Sequence, residues 1–509
     1  MSTSDNKRIA KNTIALYIRM FFTMSVTLYT SRVILEKLDV VDFGLYNAVS
    51  GVVGMLTFLN GTLSTGTSRF LTFELGSNNI RKLKSTFSTA FYSHVALALI
   101  VVIFLETIGV WFIYNKLVIP PERLQAAVWT FHISILTTFV SITQVPYTSI
   151  IIAHERMNIY AYFGIFEALS KLAIVFLLAL APFDRLVFYA CLVAGVQIST
   201  VMFYRFYCIR NYSESHLEFH FDKGIFKRML SFSGWSLIAN IAEVLNNQGY
   251  VVLINMFFQP TVVAAQAIGN QIANAIMQFV GNFRTAINPQ IIKLYAAKEY
   301  TASQRLTLQS SIYVFDLLLL LGLPAIVLMS PLLHLWLVKV PDYAVVFAQY
   351  IVTRQILSNF SAAFYVPMMA SGNLKSNSYA CVGISFLGFA ILYLLLKTGL
   401  SVMYVQWIGI FQTCAFSFIV KPYILCKQIN YSPQEMAQCI LTCVKISAFP
   451  ITVSILVSRY FDLQQLIFMA IGAIIITASV AISAYVLLNK DTRSKLNIFI
   501  LKKLSWQKA

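Results

Sequence analysis

Apolar runs long enough to cross a bilayer recur along nearly the whole of this chain and leave room for little else. A helix rising 1.5 Å per residue needs about 20 apolar residues to span the hydrocarbon core. About fourteen stretches meet that need, near 13–34, 45–67, 86–107, 124–145, 159–180, 186–207, 231–258, 262–287, 307–329, 344–366, 378–397, 402–425, 440–458 and 464–488. Lipid offers backbone groups no hydrogen-bond partner, so each run must satisfy its own as a helix. The expected fold class is therefore all-α and polytopic. Composition agrees: of 509 residues 58% are hydrophobic and 11% charged, where a soluble domain carries roughly a quarter charged.

The formal net charge of +18 would ordinarily suggest a nucleic-acid partner. Here the basic residues sit in short loops, which is what membrane orientation requires, so the expected partner is lipid and not nucleic acid. Arg81, Lys82, Lys84, Lys223, Lys227, Arg228, Lys293, Lys298, Arg305 and the tail from Lys490 fall on one side; Arg32, Lys37, Lys116, Arg123 and Lys339 fall on the other. The richer side faces the cytoplasm, which places both termini there. The first apolar run lacks a small-residue cleavage site, so no cleavable leader is expected. Seven cysteines are scattered without a Cys-x-x-Cys, and no disulfide framework is expected. His216 and His220 are the one pair at metal-like spacing; no metal site and no cofactor are expected from them.

The chain also repeats itself at an offset of about 220 residues. Lys227-Arg228 aligns with Lys7-Arg8, Gln259-Pro260 with Asp39-Val40, and Asn288-Pro289 with Ser68-Arg69. Farther on, Val145-Pro146 matches Val366-Pro367, and Tyr160–Ile165 matches Tyr379–Ile384. Six spans separate the copies, so both have the same orientation and their pseudo-two-fold axis should run along the membrane normal. The expected organisation is an N-terminal lobe over 1–210, a cytoplasmic linker over 211–228, a C-terminal lobe over 229–428, two further helices over 429–488 and a basic cytoplasmic tail over 489–509. Within the tail, Lys495–Trp506 has the pattern of a helix lying on an anionic surface, and a frayed basic tail is the equal alternative.

Two spans carry more amides than lipid tolerates. Asn240, Glu243 and Asn247 share a face of the seventh; Gln266, Asn270, Asn274 and Gln278 step along the eighth, with Gln271 at the edge. Such stripes should face protein or water, and a cavity between two halves is the expected setting. Each ionisable residue at depth costs roughly 2.5–3.5 kcal/mol on insertion scales, so such residues are functional candidates. Arg19 lies in the first span and Arg354 in the tenth. Arg284, near the inner end of the eighth, can snorkel, and Lys445 is interfacial. Glu167 and Lys171, at i and i+4 on the fifth span, are placed to neutralise each other. Glu243 could bind a cation, balance an arginine or stay protonated; the spacing does not choose. Cations outnumber acids in this set, which suits an anionic, hydroxyl-rich ligand. There is no Walker A run, Gly-x-Ser-x-Gly, His-Glu-x-x-His or large acidic external loop, and an enzyme is not expected.

Lys11-Asn12-Thr13, Tyr29–Leu35, Val41–Asn47 and Arg69–Gly76 together resemble bacterial polysaccharide-unit (O-antigen) flippases of the Wzx type. These belong to the multidrug/oligosaccharidyl-lipid/polysaccharide exporter superfamily, and the likeness is to those of Bacteroidetes-type bacteria. It implies two six-helix lobes around a central cavity lined by helices 1, 2, 7 and 8, with the last two helices bordering a groove for a polyprenyl tail. The implied substrate is an undecaprenyl-diphosphate-linked oligosaccharide, turned outward across the inner membrane by alternating access. On that resemblance Arg19 matches the basic positions used for diphosphate, and Asn240, Glu243, Asn247, Gln266, Asn270 and Asn274 match the cavity wall. Helix 2 offers Asn47, Asn60 and Ser64 but no arginine, unlike the related peptidoglycan-precursor flippases. The expected partners are the lipid-linked oligosaccharide, membrane lipids and glycan-assembly proteins around a monomer, with Na⁺ or H⁺ open as coupling ions. Two readings compete: a cation-coupled multidrug exporter of the same superfamily, and a non-transporting scaffold for glycan assembly.

Overall fold

A computed structural model describes residues 3–56, 58–76, 79–154, 157–219, 221–229, 244–372, 374–487 and Arg493. The side chains of Arg19, Asn60 and Asn247 lie outside the described residues, as do Asn240, Glu243, His220 and the stretch Lys495–Trp506. The elements are helical throughout and no strand occurs among the described residues. In chain order they are α1 Thr3–Gly54, α2 Phe58–Gly76, α3 Ile80–Phe104, α4 Val110–Lys116, α5 Leu124–Ala153, α6 Met157–Leu178, α7 Arg185–Asn211, α8 Tyr250–Phe257 and α9 Pro260–Ala296. They continue with α10 Tyr300–Val327, α11 Met329–Trp336, α12 Ala344–Phe360, α13 Tyr365–Ala370, α14 Lys375–Lys397, α15 Met403–Cys414, α16 Lys421–Ile429, α17 Pro433–Tyr460 and α18 Leu466–Leu487.

Local chemistry sets several boundaries. Asn79 caps α3 by accepting from the Lys82 amide at 3.0 Å, and Asp184 caps α7 by accepting from the amides of Leu186 and Val187. Ser432 caps α17, with Pro433 at its first position and Glu435 in its first turn. Asp39 breaks α1 into two arms at a left-handed φ of 67°. Its repeat counterpart, Gln259-Pro260, is the junction between α8 and α9. The expected single helix over 45–67 is instead interrupted after Gly54, and that over 344–366 after Phe360.

Eight described segments are long and apolar enough to cross a membrane: Ile80–Lys116, Pro121–Ala153, Arg185–Asn211, Tyr300–Val327, Lys375–Lys397, Met403–Ile429, Pro433–Tyr460 and Leu466–Leu487. The 37-residue α9 is long enough but too polar, because its glutamines and asparagines dilute the apolar residues between them. The chain is a multi-pass membrane protein.

The chain packs as two compact units. Unit 1 comprises Met1–Ile268, Leu337–Ala344 and Cys381–Val405; unit 2 comprises Gly269–Trp336, Val345–Ala380 and Gln406–Ala509. In unit 1, Ala98, Val101 and Leu105 meet Phe131, Ile135 and Ile142 of α5, with Val49 and Val252 in the same core. A second core gathers Leu71, Phe87, Tyr147, Ile151 and Cys208. In unit 2, the space that a Cβ on Gly269 would need is taken by Ile351, and on Gly322 by Ile356. These glycines set how closely α9 and α10 approach α12. Cys439 on α17 donates to the Leu308 carbonyl of α10 at 3.6 Å.

Candidate functional site

A cavity of mixed polar and apolar lining in unit 1 lies where three helices turn matching faces inward. Thr27, Thr30, Ser31 and Ile34 occupy i, i+3, i+4 and i+7 on α1; Glu167, Lys171 and Ile174 occupy i, i+4 and i+7 on α6; Tyr189, Val193, Val196 and Gln197 follow on α7, and Tyr46 joins from the second arm of α1. The cavity measures about 250 Å³. Glu167 Oε1 and Lys171 Nζ meet at 2.9 Å, as their spacing requires, and remain 46% and 51% exposed. An ion pair this open would be costly against acyl chains, so its setting must be wet. Thr27, Thr30 and Ser31 donate to carbonyls one turn back at 2.8, 3.0 and 2.7 Å. Tyr46 and Tyr189 pack edge to face at 4.7 Å and share a hydrogen bond. The result is a chamber in which hydroxyls, one amide and one self-neutralised charge pair alternate with the aliphatic side chains of Ile34, Ile174, Val193 and Val196. Such a lining can exchange hydrogen bonds with a polyol without fixing a net charge.

The amide stripe of α9 is graded along its length. Gln266, in unit 1, is 1% exposed and bonded. In unit 2, Asn270 and Gln271 are half-buried, and Asn274 and Gln278 are exposed, while Ala273 and Val280 fill the opposite, packed face. Amides open on a helix within a membrane protein call for water or protein, not acyl chains. Asn47 donates to the Phe43 carbonyl of its own helix at 2.7 Å. Arg354 is half-buried and fits under Gly409, where a Cβ would come within 2.9 Å of its Nη1. Arg284 is half-buried with its Nε unpartnered.

Sequence reasoning passed over four charged groups. Arg123 bonds two carboxylates at once: Nε and Nη2 reach Asp42 at 2.8 and 2.7 Å, and Nη1 and Nη2 reach Asp184 at 2.6 and 3.2 Å. Burial works against ionising Asp184, but the Arg123 hydrogen bond and the amides of Val187 and Leu186 hold its carboxyl below the ordinary range. Asp42 is buried more deeply, and desolvation pushes it up despite the same arginine. Beside this cluster the hydrogen bond from Lys339, at 3.0 Å, holds Asp39 down. Arg205 donates to Thr143 Oγ1 at 2.7 Å and lies 5.4 Å from the Tyr147 ring centre. Glu106 pairs with His132 at 2.9 Å. Asp316 stands in the middle of α10 with a buried, unpartnered oxygen. Its signal was plain in the sequence, a lone acid inside Tyr313–Leu320. The Arg123 cluster had none, since its partners lie 81 and 61 residues away.

The family model described as "Polysaccharide biosynthesis protein" matches residues 9–295. No curated protein matches the chain. Among solved structures the fold is similar to the lipid II flippase MurJ in an inward closed conformation, with a TM-score of 0.71 at 12% identity over 93% of this chain and 98% of that one. It is also similar to the MATE multidrug transporter DinF-BH (0.60, 14% identity, 82% and 96%). An inward-facing multidrug resistance MATE transporter of the MOP superfamily gives 0.59 at 12% identity, over 80% and 93%. At these identities the likeness concerns the fold, which is the MurJ/MATE-like helical fold that the sequence resemblance implied.

Proposed function

Because this chain belongs to the polysaccharide biosynthesis protein family, we propose that it is a flippase. It carries undecaprenyl-diphosphate-linked oligosaccharide units from the cytoplasmic to the periplasmic leaflet by alternating access, for assembly of a surface polysaccharide. The observation that carries this reading is the chamber of unit 1, where hydroxyls and the half-exposed Glu167–Lys171 pair sit among aliphatic side chains. Sugar rings offer many weak, neutral hydrogen-bonding groups, and such a lining meets them without preferring one charge. In unit 2 the exposed amides Asn274 and Gln278, with half-buried Asn270, offer hydrogen-bonding groups of the same neutral kind. Arg19 and Arg354 are assigned to the diphosphate, for which a planar guanidinium is the apt donor. Asn47, Asn60, Asn240, Glu243, Asn247 and Gln266 complete the proposed lining, and Arg284 an inner-leaflet contact.

Moving two negative charges outward is favoured by roughly 4–5 kcal/mol per 100 mV when the inside is negative. The field therefore assists export of a diphosphate. The test uses a strain lacking the gene, with surface glycan measured by blotting. Wild type should restore the glycan, while the double variant Glu167→Ala/Lys171→Ala and the single variant Arg354→Ala should each restore on the order of a tenth or less, since lost polar contacts of about 1.4 kcal/mol or more give tenfold effects. Lipid-linked oligosaccharide should accumulate on the cytoplasmic face at the same time. Intact surface glycan in the deletion strain, together with raised accumulation of a cationic dye, would overturn this reading in favour of a drug exporter.

A further inference from the structure

Asp316 has no place in the chamber or on the amide stripes. It sits sixteen residues from the start of α10 and eleven from its end, in the run Tyr300–Val327. Those distances are about 24 and 16 Å along the helix, so a two-carbon side chain cannot reach either membrane surface. Its Oδ1 is buried without a hydrogen-bond partner, and no ion pair to it occurs among the described residues. Asp316 as a whole is half-buried, in a unit whose packed faces are apolar: Phe315 and Leu319 are buried on α10, and Ile446 and Ile476 on α17 and α18.

No ion pair to Asp316 comes from the neighbouring helices among the described residues; α12, which meets α10 where Ile356 packs on Gly322, carries Arg354, and that side chain lies against Gly409 of α15. α17 turns the neutral thiols of Cys439 and Cys443 inward, Cys443 being the one close enough to interact with Asp316. Its cations, Lys445 and Arg459, are exposed. The described part of α18 carries one titratable group, Tyr485, and its inward hydroxyls are spent: Ser479 donates to the Ile476 carbonyl at 2.7 Å and Ser483 to the Ile446 carbonyl at 2.8 Å. His334 of α11 is exposed, and α13 carries one titratable residue, Tyr365. An ionised carboxylate left alone in such a place is strongly disfavoured, and the cheapest remedy is a proton.

We propose that Asp316 is a proton-binding site, holding H⁺ as a neutral carboxylic acid among α10, α17 and α18 and releasing it once per transport cycle. The step is an acid–base equilibrium alone: one proton joins one carboxylate oxygen, later leaves to water, and nothing is oxidised. Release requires a rearrangement that brings water or a donor to Oδ1, so the charge state of Asp316 biases the packing of α10 against α17 and α18. The coupling rests on the flippase reading; the protonation itself does not.

The test therefore has two independent arms. In the first, full-length protein in lipid vesicles is treated with dicyclohexylcarbodiimide, an apolar reagent that adds a protonated carboxyl across a carbon–nitrogen double bond. Peptide mass spectrometry should find the adduct on Asp316, with a yield falling at least about tenfold between pH ~5 and ~9 as the acid ionises, and no adduct on that peptide in Asp316→Asn. No adduct at any pH, while an exposed carboxyl such as Glu435 still reacts with a water-soluble carbodiimide, would overturn the site. An adduct independent of pH would overturn the release step. In the second arm, Asp316→Glu should restore more surface glycan than Asp316→Asn in the deletion strain, the latter falling about tenfold below wild type. Full restoration by Asp316→Asn would end the coupling. Failure of wild type to restore would strike the flippase reading alone, because the adduct reports the proton whatever the cargo.

Discussion

A methyl group at position 44 would have to occupy space already held by main chain. An ideal Cβ on Gly44 lies 1.8 Å from the Pro260 carbonyl oxygen and 2.5 Å from its carbon, so neither partner can yield by rotating a side chain. Gly44→Ala should therefore destabilise the protein by on the order of 3 kcal/mol or more, at the upper end of overpacking. Thermal unfolding in detergent reads this directly, and an unchanged midpoint would show that α1 and α9 do not meet this way. Gly195 is the control, since a Cβ there meets nothing. The same scale explains the fate of single charges. Glu167 found its partner one turn away on its own helix. Asp316 finds no such partner among the described residues, and the proposed remedy there is a proton.

At the scale of elements, the ends of helices are tied by charge where the lengths between them are held by packing. Arg123 sits at the start of α5 and joins the second arm of α1, through Asp42, to the cap of α7, through Asp184. One guanidinium thus fixes three helix ends, and its fork geometry suits two carboxylates as an ammonium would not. Removing it strands two partly buried acids. Arg123→Ala should lower stability by about 3 kcal/mol, allowing for the residual exposure of the cluster, and Arg123→Lys should recover only part of it. Equal thermal midpoints for wild type and Arg123→Ala would sink the clamp. The capping residue Asp184 was readable from sequence, because it sits directly before its apolar run and acts on the next three residues, whereas Asn79 and Ser432 cap polar first turns well ahead of the apolar runs that follow. The breaks after Gly54 and Phe360 were not. At the second, Lys421 reaches across to the Ser361 carbonyl and hydroxyl at 3.2 and 3.1 Å, a partner sixty residues distant.

For the molecule as a whole, the distribution of basic residues makes a separate prediction about orientation. A fluorescent protein that matures only in the cytoplasm should shine when fused after Ala509, and alkaline phosphatase fused there should be inactive. The reverse result would invert the topology and the direction assigned to transport.

The sequence by itself determined the helical class and the multi-pass character, because both follow from local periodicity and from the demand of lipid that backbone groups be satisfied nearby. It also determined the Glu167–Lys171 pair, whose geometry is intrinsic to one helix. Only the tertiary structure decided that Gln266 is sealed while Asn274 on the same stripe is open, that Arg123 serves two acids, and that Asp316 is left with none. Those outcomes depend on which helices are neighbours, and a hydropathy pattern carries a helix's inward face without saying what it will meet there.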